Sequence, residues 1–445
     1  MPSAPMGLLR QGRTESVTVQ EAVSNTVAAG VASDDASRRT EILQTANTVI
    51  ANSGLRTSLQ QIADAAGILA GSLYHHFESK EAILIELIRR YHADLDRIGQ
   101  RVLEGLDAPN PPPIDAQITD LGCAIAACAV EHRAALQMSF YEGPSADPEL
   151  MELTRRRPTS IQAAMLQILR AGKWSGYIRA DVDLPILADR ICQTMLHVGL
   201  DVIRNNAPSD RVATVFCRIL LQGLAAGQPT DPDLDRSAAF AAADEVVNTW
   251  HDADLDLENK ADRVRAAARA EFGRRGYETT TVRDIAAAAG MGTGTVYRLI
   301  GSKEDLLMSI MLAFGQRVGA GWTAVLKSRA TPVEKLDALS WVNINALTRF
   351  PDEFRIQLAW MRQSPPDTPN PGAAFSTRVR QMKSLLSEGI RSGEIDIEHP
   401  NAETLARCVI GVQWIPENIS LELGPRGSLI HARDTVIRGV TTRKD

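Results

Sequence analysis

The sequence is poor in aromatic residues and cysteine and has no long apolar run, and each shortage excludes a class of protein. Aromatic residues make up 5% of the 445 residues and hydrophobic residues 44%, a composition that favours large cores of packed helices over sheets. The five cysteines include no pair with the two-residue spacing of a zinc site. We therefore expect reduced core cysteines in a cytosolic protein, without a membrane span or a secretory leader.

Motifs of catalysis are also missing. The sequence has no HExxH, nucleophile-elbow, P-loop or dinucleotide-binding pattern, and its eight histidines do not cluster with carboxylates at metal-binding spacings. Because each of those patterns supplies a specific catalytic geometry, we predict a protein that is not an enzyme and has neither a metal nor a cofactor. The formal net charge of −6 argues against a uniform coat for nucleic acid but allows a local basic surface.

A repeated segment is the strongest positive signal. Residues 67–80 read GILAGSLYHHFESK, and residues 290–303 read GMGTGTVYRLIGSK. Similarity returns late in each half, where ILRAGKWSGYI at 168–178 aligns with LLSEGIRSGEI at 385–395. A repeat this long predicts two copies of one domain-sized unit rather than a solenoid.

The repeated segment has the local chemistry of a helix-turn-helix (HTH). Ser58 and Thr281 are followed three residues later by Gln61 and Asp284, the pattern of side chains that cap a helix N-terminus. A glycine then ends each short helix, and a second helix of under three turns follows. In an HTH this second helix enters the major groove of DNA.

A serine and a lysine begin the next helix in both copies. Ser79 and Ser302 are the expected caps, and Lys80 and Lys303 lie in the first turn. The positive end of a helix dipole together with a lysine suits a phosphate oxygen. We predict that this helix start holds the DNA backbone beside the second HTH helix.

Both copies resemble the DNA-binding domain of the TetR family of bacterial repressors. The matching positions in copy one are Thr57, Ser58, Leu59, Ile62, Ala63, Ala66, Gly67, Gly71, Ser72, Leu73, Tyr74, His76, Phe77, Ser79 and Lys80. Those in copy two are Thr280, Thr281, Val282, Ile285, Ala286, Ala289, Gly290, Gly294, Thr295, Val296, Tyr297, Ser302 and Lys303. The copies depart from the family pattern at Leu69 and Gly292, where a capping serine is usual, and at Leu299–Ile300, where an aromatic residue is usual.

The resemblance implies a set of DNA contacts in each copy. Phosphates would be held by Tyr74, Lys80, Tyr297 and Lys303, with added hydroxyl contacts from Ser58 and Thr281. Base edges would be met from Ala70, Gly71, Ser72 and His75 in copy one, and from Thr293, Gly294, Thr295 and Arg298 in copy two. Gln60 and Arg283 occupy a first-helix position that also reaches bases in some members. Arginine pairs with guanine and glutamine with adenine.

The two copies differ in charge. Residues 38–97 contain seven basic and seven acidic residues, whereas residues 260–317 contain ten and six. We expect copy two to supply more of the electrostatic affinity, and the two copies to read different half-sites. An alternative is that copy one is a degenerate, structural HTH.

The resemblance implies an all-α fold of two fused units, each an N-terminal three-helix HTH domain followed by a helical ligand-binding and dimerisation domain. The expected division is a disordered arm at 1–35, HTH domain 1 at 36–92, regulatory domain 1 at 93–230, a linker at 231–258, HTH domain 2 at 259–312 and regulatory domain 2 at 313–445. The linker holds nine carboxylates against one arginine. We interpret it as a solvated connector in preference to a mimic of DNA charge.

The predicted function is that of a sequence-specific regulator of transcription, a repressor released by a small molecule, with a lipid-like molecule as one candidate. Its two heads would form an intramolecular pseudo-dimer on operator DNA, with the helices at 184–205, 210–226, 401–423 and 427–440 packed between the halves; a homodimer is the alternative. The protein would act at the nucleoid in the cytoplasm, away from membranes. A regulator without ligand control, with one degenerate HTH, is the rival hypothesis.

Large apolar side chains in the two helical bodies are the candidates for a ligand pocket, although any one of them could equally be ordinary core. The candidates are Met138, Phe140, Tyr141, Met165, Trp174, Met195 and His197 in the first body, and Trp341, Phe350, Phe354, Trp360, Met382 and Trp414 in the second.

Overall fold

The computed structural model describes residues 37–55, 57–106, 109–138, 147–205, 207–250, 259–362, 373–398 and 401–442, with the backbone alone at 199–205, 359–362 and 373–374. Over these ranges the chain is helical, with two isolated β-bridges and no sheet, which confirms the predicted all-α class. The arm expected at 1–35 lies outside the described residues. No helix in the described ranges is long and apolar enough to cross a membrane.

The first half of the chain, residues 37–230, begins with helix α1 over residues 37–53. The helices that follow are α2 (Leu59–Ala65), α3 (Ala70–His76), α4 (Lys80–Gly105), α5 (Ile114–Glu131), α6 (Arg133–Met138), α7 (Pro148–Arg155), α8 (Thr159–Trp174), α9 (Leu184–Asn205) and α10 (Ser209–Gln222). We call α1–α3 HTH unit 1.

Two helices of the acidic segment, α11 (Asp231–Asp235) and α12 (Ala238–Thr249), lead into the second half, residues 259–442. Its helices are α13 (Lys260–Arg275), α14 (Val282–Ala288), α15 (Thr293–Ile300), α16 (Lys303–Lys327), α17 (Pro332–Arg349), α18 (Pro351–Arg362), α19 (Ala373–Ser392), α20 (Ala402–Gln413) and α21 (Glu417–Ala432), with a closing π-helical turn (Arg433–Ile437). We call α13–α15 HTH unit 2.

Reciprocal capping bonds start the first short helix of each HTH unit. The Ser58 hydroxyl accepts the Gln61 amide N–H at 3.2 Å, and the Ser58 amide donates to Gln61 Oε1 at 2.8 Å. Thr281 and Asp284 repeat the pair at 3.2 and 2.8 Å. Each bond satisfies an amide that a helix N-terminus otherwise leaves without a partner, so the predicted helix starts are confirmed.

The departures from the family pattern are visible at α3 and α15. Neither Leu69 nor Gly292 makes a side-chain capping bond. Phe77 is buried in the core of unit 1, whereas Ile300 is only partly buried against the core of unit 2. The second short helix is therefore held less firmly by its own cap than the first, and depends on packing.

The acidic segment is packed against the second half where the structure describes it, at residues 231–250. Helix α12 lies on α16 and α17 and buries Ala239, Ala243 and Val247. This differs from the solvated connector that its composition suggests. Between the acidic ends lies a stripe of small apolar residues, and this stripe is sufficient to pack α12 against the second half. The domain limits drawn from the sequence stay predictions, and residues 251–258 lie outside the described ranges.

Carboxylates of this segment neutralise arginines near the C-terminus. Arg433 is fully buried and pairs with Asp337 at 2.8 Å and with Asp235 at 2.7 Å. Arg438 pairs with Asp231. An unpaired buried guanidinium is strongly destabilising, so these carboxylates stabilise the fold and are not available to mimic DNA.

The two halves meet in an interface with approximate two-fold symmetry, which we call the central interface. Ile178 bridges to Thr441, and Ala225 bridges to Ile395. Ile178 and Ile395 are equivalent residues, because they end the aligned segments of the two copies. Their partners Thr441 and Ala225 are also equivalent, since each comes two residues after a positive-φ glycine near the end of its half. The same contact is thus made twice with the halves exchanged, as in an isologous dimer.

At the centre of this interface the backbones touch. A Cβ added to Gly439 would lie 2.6 Å from the amide nitrogen of Gly223. Beside this pair, the Leu224 amide donates to Val436 O at 2.9 Å and the Val440 amide donates to Leu221 O at 2.8 Å. Helices α9 and α10 pack on α20 around it, so late helices of both halves meet here.

Candidate nucleic-acid interface

The second helix of each HTH unit buries one side and exposes the other. Leu73 and Val296 are fully buried. On the opposite side lie the residues predicted to contact DNA, which are half-buried at Ala70 and Thr295 and otherwise exposed: Gly71, Ser72, Tyr74, His75, Thr293, Gly294, Tyr297 and Arg298.

The same aromatic residue is left uncovered in both copies. Tyr74 is 55% exposed and Tyr297 is 54% exposed, and neither ring is part of the hydrophobic core of the described residues. A phenol on a short exposed helix offers one hydroxyl donor to an incoming group. Arg298 is exposed one residue further on and has no side-chain partner among the described residues.

The first short helices add four polar side chains to these surfaces. The hydroxyls of Ser58 and Thr281 take part in the capping bonds, so they are fixed in place. Gln60 is exposed and its amide donates to Asp64 Oδ1 at 2.7 Å. Arg283 is exposed, with no side-chain partner in the described part of the chain. Their assignment as DNA contacts stays a prediction.

The two lysines have a structural contact that the sequence did not reveal. The Lys303 ammonium donates to Thr280 O at 2.7 Å and lies 4.2 Å from the ring centroid of Tyr277. Lys80 donates to Leu55 O in the same way, and its burial lowers its pKa. In both units the lysine therefore braces the turn that precedes the first short helix.

The two HTH units are neighbours in space. A Cβ added to Gly54, in the turn after α1, would lie 3.0 Å from a carboxylate oxygen of Glu278, in the turn after α13. Burial lowers the pKa of Lys80, and the charges of Glu81 and, from the other unit, Glu278 partly offset this effect. The units thus touch through equivalent turns, and their spacing is constrained by contact as well as by the helical bodies.

Two adjoining cavities lie between the halves. The larger, of about 450 Å³, is bounded by α9 and α10 of the first half and by α18–α21 of the second. The smaller, of about 390 Å³, reaches from α4 and α7–α9 to α13 and α18. Residues that line both cavities are Arg157, Gln193, His197, Arg355, Leu358 and Glu417. Both volumes fall in the range of small-molecule sites, about 300–1,000 Å³.

Some predicted pocket residues line these cavities. Phe354 and Trp414 stack at 4.4 Å between ring centroids in the wall of the larger one, and His197 lines both. The remaining buried candidates lie in the core and not in the walls of these two cavities: Met138, Met165, Met195, Phe350 and Met382. Phe140 and Tyr141 lie outside the described residues, as does the side chain of Trp360.

Two tryptophans contradict their predicted place in a pocket. Trp174 is 94% exposed at the end of α8. Trp341 packs on Phe240 and its indole N–H donates to Asp244 Oδ1 at 3.1 Å, under helix α12. The position of Trp341 was not predictable because the composition of residues 231–258 indicates a solvated linker, whereas α12 of this segment packs on the tryptophan.

No cluster of metal-ligating side chains occurs in the described part of the chain. The five cysteines are free, and burial raises the pKa of Cys128 to about 12, which makes it unreactive as a thiolate.

Two HTH units with exposed second helices, each followed by a helical body, define a DNA-binding protein of the helix-turn-helix class. The model of the bacterial regulatory proteins of the tetR family matches the chain twice, at residues 42–87 and 264–310. Both matches lie inside the two HTH regions that the sequence predicted.

Curated relatives are single-unit repressors. The HTH-type transcriptional repressor KstR2 of Rhodococcus jostii (strain RHA1) is 35% identical over 201 residues, which are 42% of this chain and 91% of the relative. KstR2 of Mycolicibacterium smegmatis is 33% identical over 202 residues, 44% of this chain and 95% of the relative. The solved structure of the ketosteroid transcriptional regulator KstR2 of Mycobacterium tuberculosis is 26% identical, covers 40% of this chain and 89% of its own, and has a TM-score of 0.33.

The chain belongs to the tetR family of bacterial regulatory proteins and carries two of its units in tandem. It is a DNA-binding regulator and not an enzyme, as the sequence predicted.

Proposed function

We propose that the protein is a ligand-released repressor that binds one operator with both HTH units as an intramolecular pseudo-dimer. The central interface carries the proposal, because the paired bridges Ile178–Thr441 and Ala225–Ile395 exchange the two halves as a two-fold axis does. The curated relatives named as repressors correspond to about half of this chain. In ordinary HTH dimers two such units read half-sites about 34–36 Å apart. This function places the protein at the nucleoid in the cytoplasm.

The proposed contacts follow the exposed surfaces of α3 and α15. Tyr74 and Tyr297 would bond phosphates, and Arg298 and Arg283 would each reach a guanine, for which a guanidinium offers two parallel donors. His75 occupies the Arg298 position in unit 1 and offers a different set of donors. The remaining proposed contacts are Ser58, Gln60, Ala70, Gly71, Ser72, Thr281, Thr293, Gly294 and Thr295.

The lysines fit this function with a second role. An ammonium has three N–H donors, so Lys80 and Lys303 can each bond a turn carbonyl and still donate to a phosphate oxygen. Such a lysine would hold the turn and the DNA backbone in one geometry.

Because the two reading surfaces differ, the preferred operator should consist of two different half-sites. The test is selection of bound duplexes from a random pool with the full-length protein, followed by sedimentation of the complex. We expect a non-palindromic site with half-sites about one helical turn apart and one chain on each duplex. A palindrome occupied by two chains would instead identify an ordinary homodimer of tandem chains.

Matched variants separate this proposal from a regulator with one degenerate HTH. Tyr74→Ala and Tyr297→Ala remove the same exposed ring from the two units, at similar cost to folding. If both units bind, each variant lowers operator affinity and weakens protection of its own half-site. If only Tyr297→Ala has an effect, unit 1 is structural and the rival hypothesis holds.

A further inference from the structure

We propose that a small inorganic anion of the chloride class binds between Arg190 of the first half and His431 of the second half and stabilises the central interface. The site is separate from the two cavities described above, whose walls include neither residue. It does not depend on what the protein binds elsewhere, since the ion acts on the stability of the fold.

Arg190, on α9, bears a buried charge. The residue is 1% exposed. Its Nη2 donates to Val412 O at 2.6 Å, whereas Nε and Nη1 have no hydrogen-bond partner within the described structure. Burial lowers the pKa of Arg190 to about 9, so the guanidinium remains mostly charged at neutral pH. A carbonyl oxygen does not neutralise that charge, and a buried charge without an opposite charge is strongly destabilising.

The carboxylate next to Arg190 in the sequence serves other contacts. Asp189 Oδ2 accepts N–H groups from Gln193 at 2.9 Å and from Asn418 at 2.6 Å. Consecutive residues of a helix do not face each other, and the cause of the lowered pKa of Arg190 is burial rather than a neighbouring charge. The described residues therefore do not supply the opposite charge that Arg190 requires.

The second half adds unpaired polar atoms near this guanidinium. Burial lowers the pKa of His431 well below its usual value, and the charge of Arg190 lowers it further, so the two groups are close and the imidazole is neutral. Its Nε2 and the hydroxyl of Ser428, one turn earlier on α21, are buried and have no hydrogen-bond partner in the described ranges. A guanidinium, a neutral imidazole and a hydroxyl can each donate a hydrogen. Donors with no acceptor of their own favour an anion over a cation.

The second copy keeps a carboxylate that the first copy lacks. Arg190 and Arg407 are equivalent residues, because each comes twelve positions after the end of the aligned segments. Arg407 is partly exposed and pairs with Glu403, one turn earlier on α20, at 2.9 Å. The position equivalent to Glu403 in the first copy holds Ile186. The arginine is thus present and buried in α9 without its carboxylate, and an anion from solution can take the place of that carboxylate.

The surroundings of Arg190 select for a small ion. Ile186 packs against an apolar cluster of the second half that includes Ile415, Ile419 and Leu429. Because this packing encloses the guanidinium, the site suits a single-atom anion such as chloride or bromide and excludes an anion with a long or branched body.

The test measures the thermal stability of the full-length protein without DNA, in sodium chloride, sodium bromide and sodium gluconate at equal ionic strength. Arg190→Met removes the buried charge, and Arg407→Met makes the same change at the equivalent position, where the arginine has its own carboxylate. Ile186→Glu places a carboxylate one turn before Arg190, as in the second copy, and keeps the comparison available should Arg190→Met not fold. Crystals of the wild-type protein grown in bromide locate the ion by its anomalous scattering.

We expect chloride and bromide to raise the melting temperature of the wild-type protein by about 2–5 °C relative to gluconate, with the saturation of a single site. Arg407→Met should keep this response. Arg190→Met should lose it because nothing attracts the ion, and Ile186→Glu should lose it because the new carboxylate pairs with Arg190. The anomalous peak of bromide should lie beside the Arg190 guanidinium.

Three results would overturn the inference. An equal halide response in Arg190→Met would identify a general effect of salt. A bromide peak at Arg190 without any effect on stability would indicate an adventitious ion only. The absence of both the peak and the halide response would mean that water satisfies these donors.

Discussion

Replacing Gly439 by alanine would place a methyl group where the two halves touch backbone to backbone. The added Cβ would lie 2.6 Å from Gly223 N and closer still to the Gln222 carbonyl. Gly439 also has a φ of +76°, a left-handed conformation that costs a residue with a Cβ about 1–2 kcal/mol. The clash cannot be relieved by a side chain because its partners are main-chain atoms.

Gly393→Ala is a matched control. Gly393 has a φ of +77°, and an added Cβ meets nothing within 4 Å, so this variant bears only the conformational cost. Gly439→Ala adds steric overpacking of about 1–3 kcal/mol. Moving the two backbone segments apart also weakens the adjacent backbone hydrogen bonds from Leu224 to Val436 and from Val440 to Leu221, each worth about 1 kcal/mol. We expect Gly439→Ala to be less stable than the control by about 2–4 kcal/mol.

The assay is urea denaturation of both variants with their midpoints compared, together with operator binding at a temperature where both are folded. The Gly439 variant should also lose operator affinity, since its two heads are no longer held by the same interface. Equal midpoints for the two variants would refute the close approach of Gly223 and Gly439. A lowered midpoint with unchanged operator affinity would show that the central interface stabilises the fold but does not set the spacing of the HTH units.

Three other changes give distinct outcomes. Arg298→Ala should leave stability unchanged and relax preference at one base pair by about 1–3 kcal/mol; unchanged preference in a competition assay would reject base reading by this residue. Lys303→Met removes the ammonium bond to Thr280 O, so it should lower the melting temperature as well as the affinity for every sequence, and reduce the salt slope by about one; an unchanged slope would leave the lysine a purely structural role. Hydrogen bonding from Arg426 lowers the pKa of Asp235, so its stabilisation is complete above its ordinary pKa and is lost as the pH falls through the lowered value. Asp235→Asn should therefore flatten the acid side of the stability–pH curve, and an identical acid side in the variant would show that the pair contributes nothing.

The HTH units were predictable because their determinants are local. A hydroxyl three residues before an acceptor at a helix start, as in Ser58–Gln61, favours the observed capping pair. The exposed positions of Tyr74 and Tyr297 follow from helical periodicity against buried Leu73 and Val296. Information of this kind is contained within a few residues of sequence.

The cavities and the packed acidic segment were not predictable in the same way. The wall formed by Phe216 and Phe354 joins residues from different halves, and their meeting depends on the central interface. Trp341 is a pocket candidate by sequence alone, but α12, which is distant in sequence, covers it in the fold. The inward bonds of Lys80 and Lys303 likewise depend on where the preceding turn lies. Each of these features requires the relative position of elements far apart in sequence.

Duplication within one chain allows the second HTH helices to diverge while the interface between the halves is kept, which a homodimer of identical chains cannot do. In a homodimer both reading helices are identical, so the operator tends to be a palindrome. In this chain the interface keeps equivalent contacts from both copies, as at Gly223 and Gly439, whereas the exposed second helices of the HTH units differ at His75 and Arg298. Because the halves are covalently joined, their association does not depend on protein concentration. The acidic segment reinforces this connection through the ion pair of Asp235 with the buried Arg433.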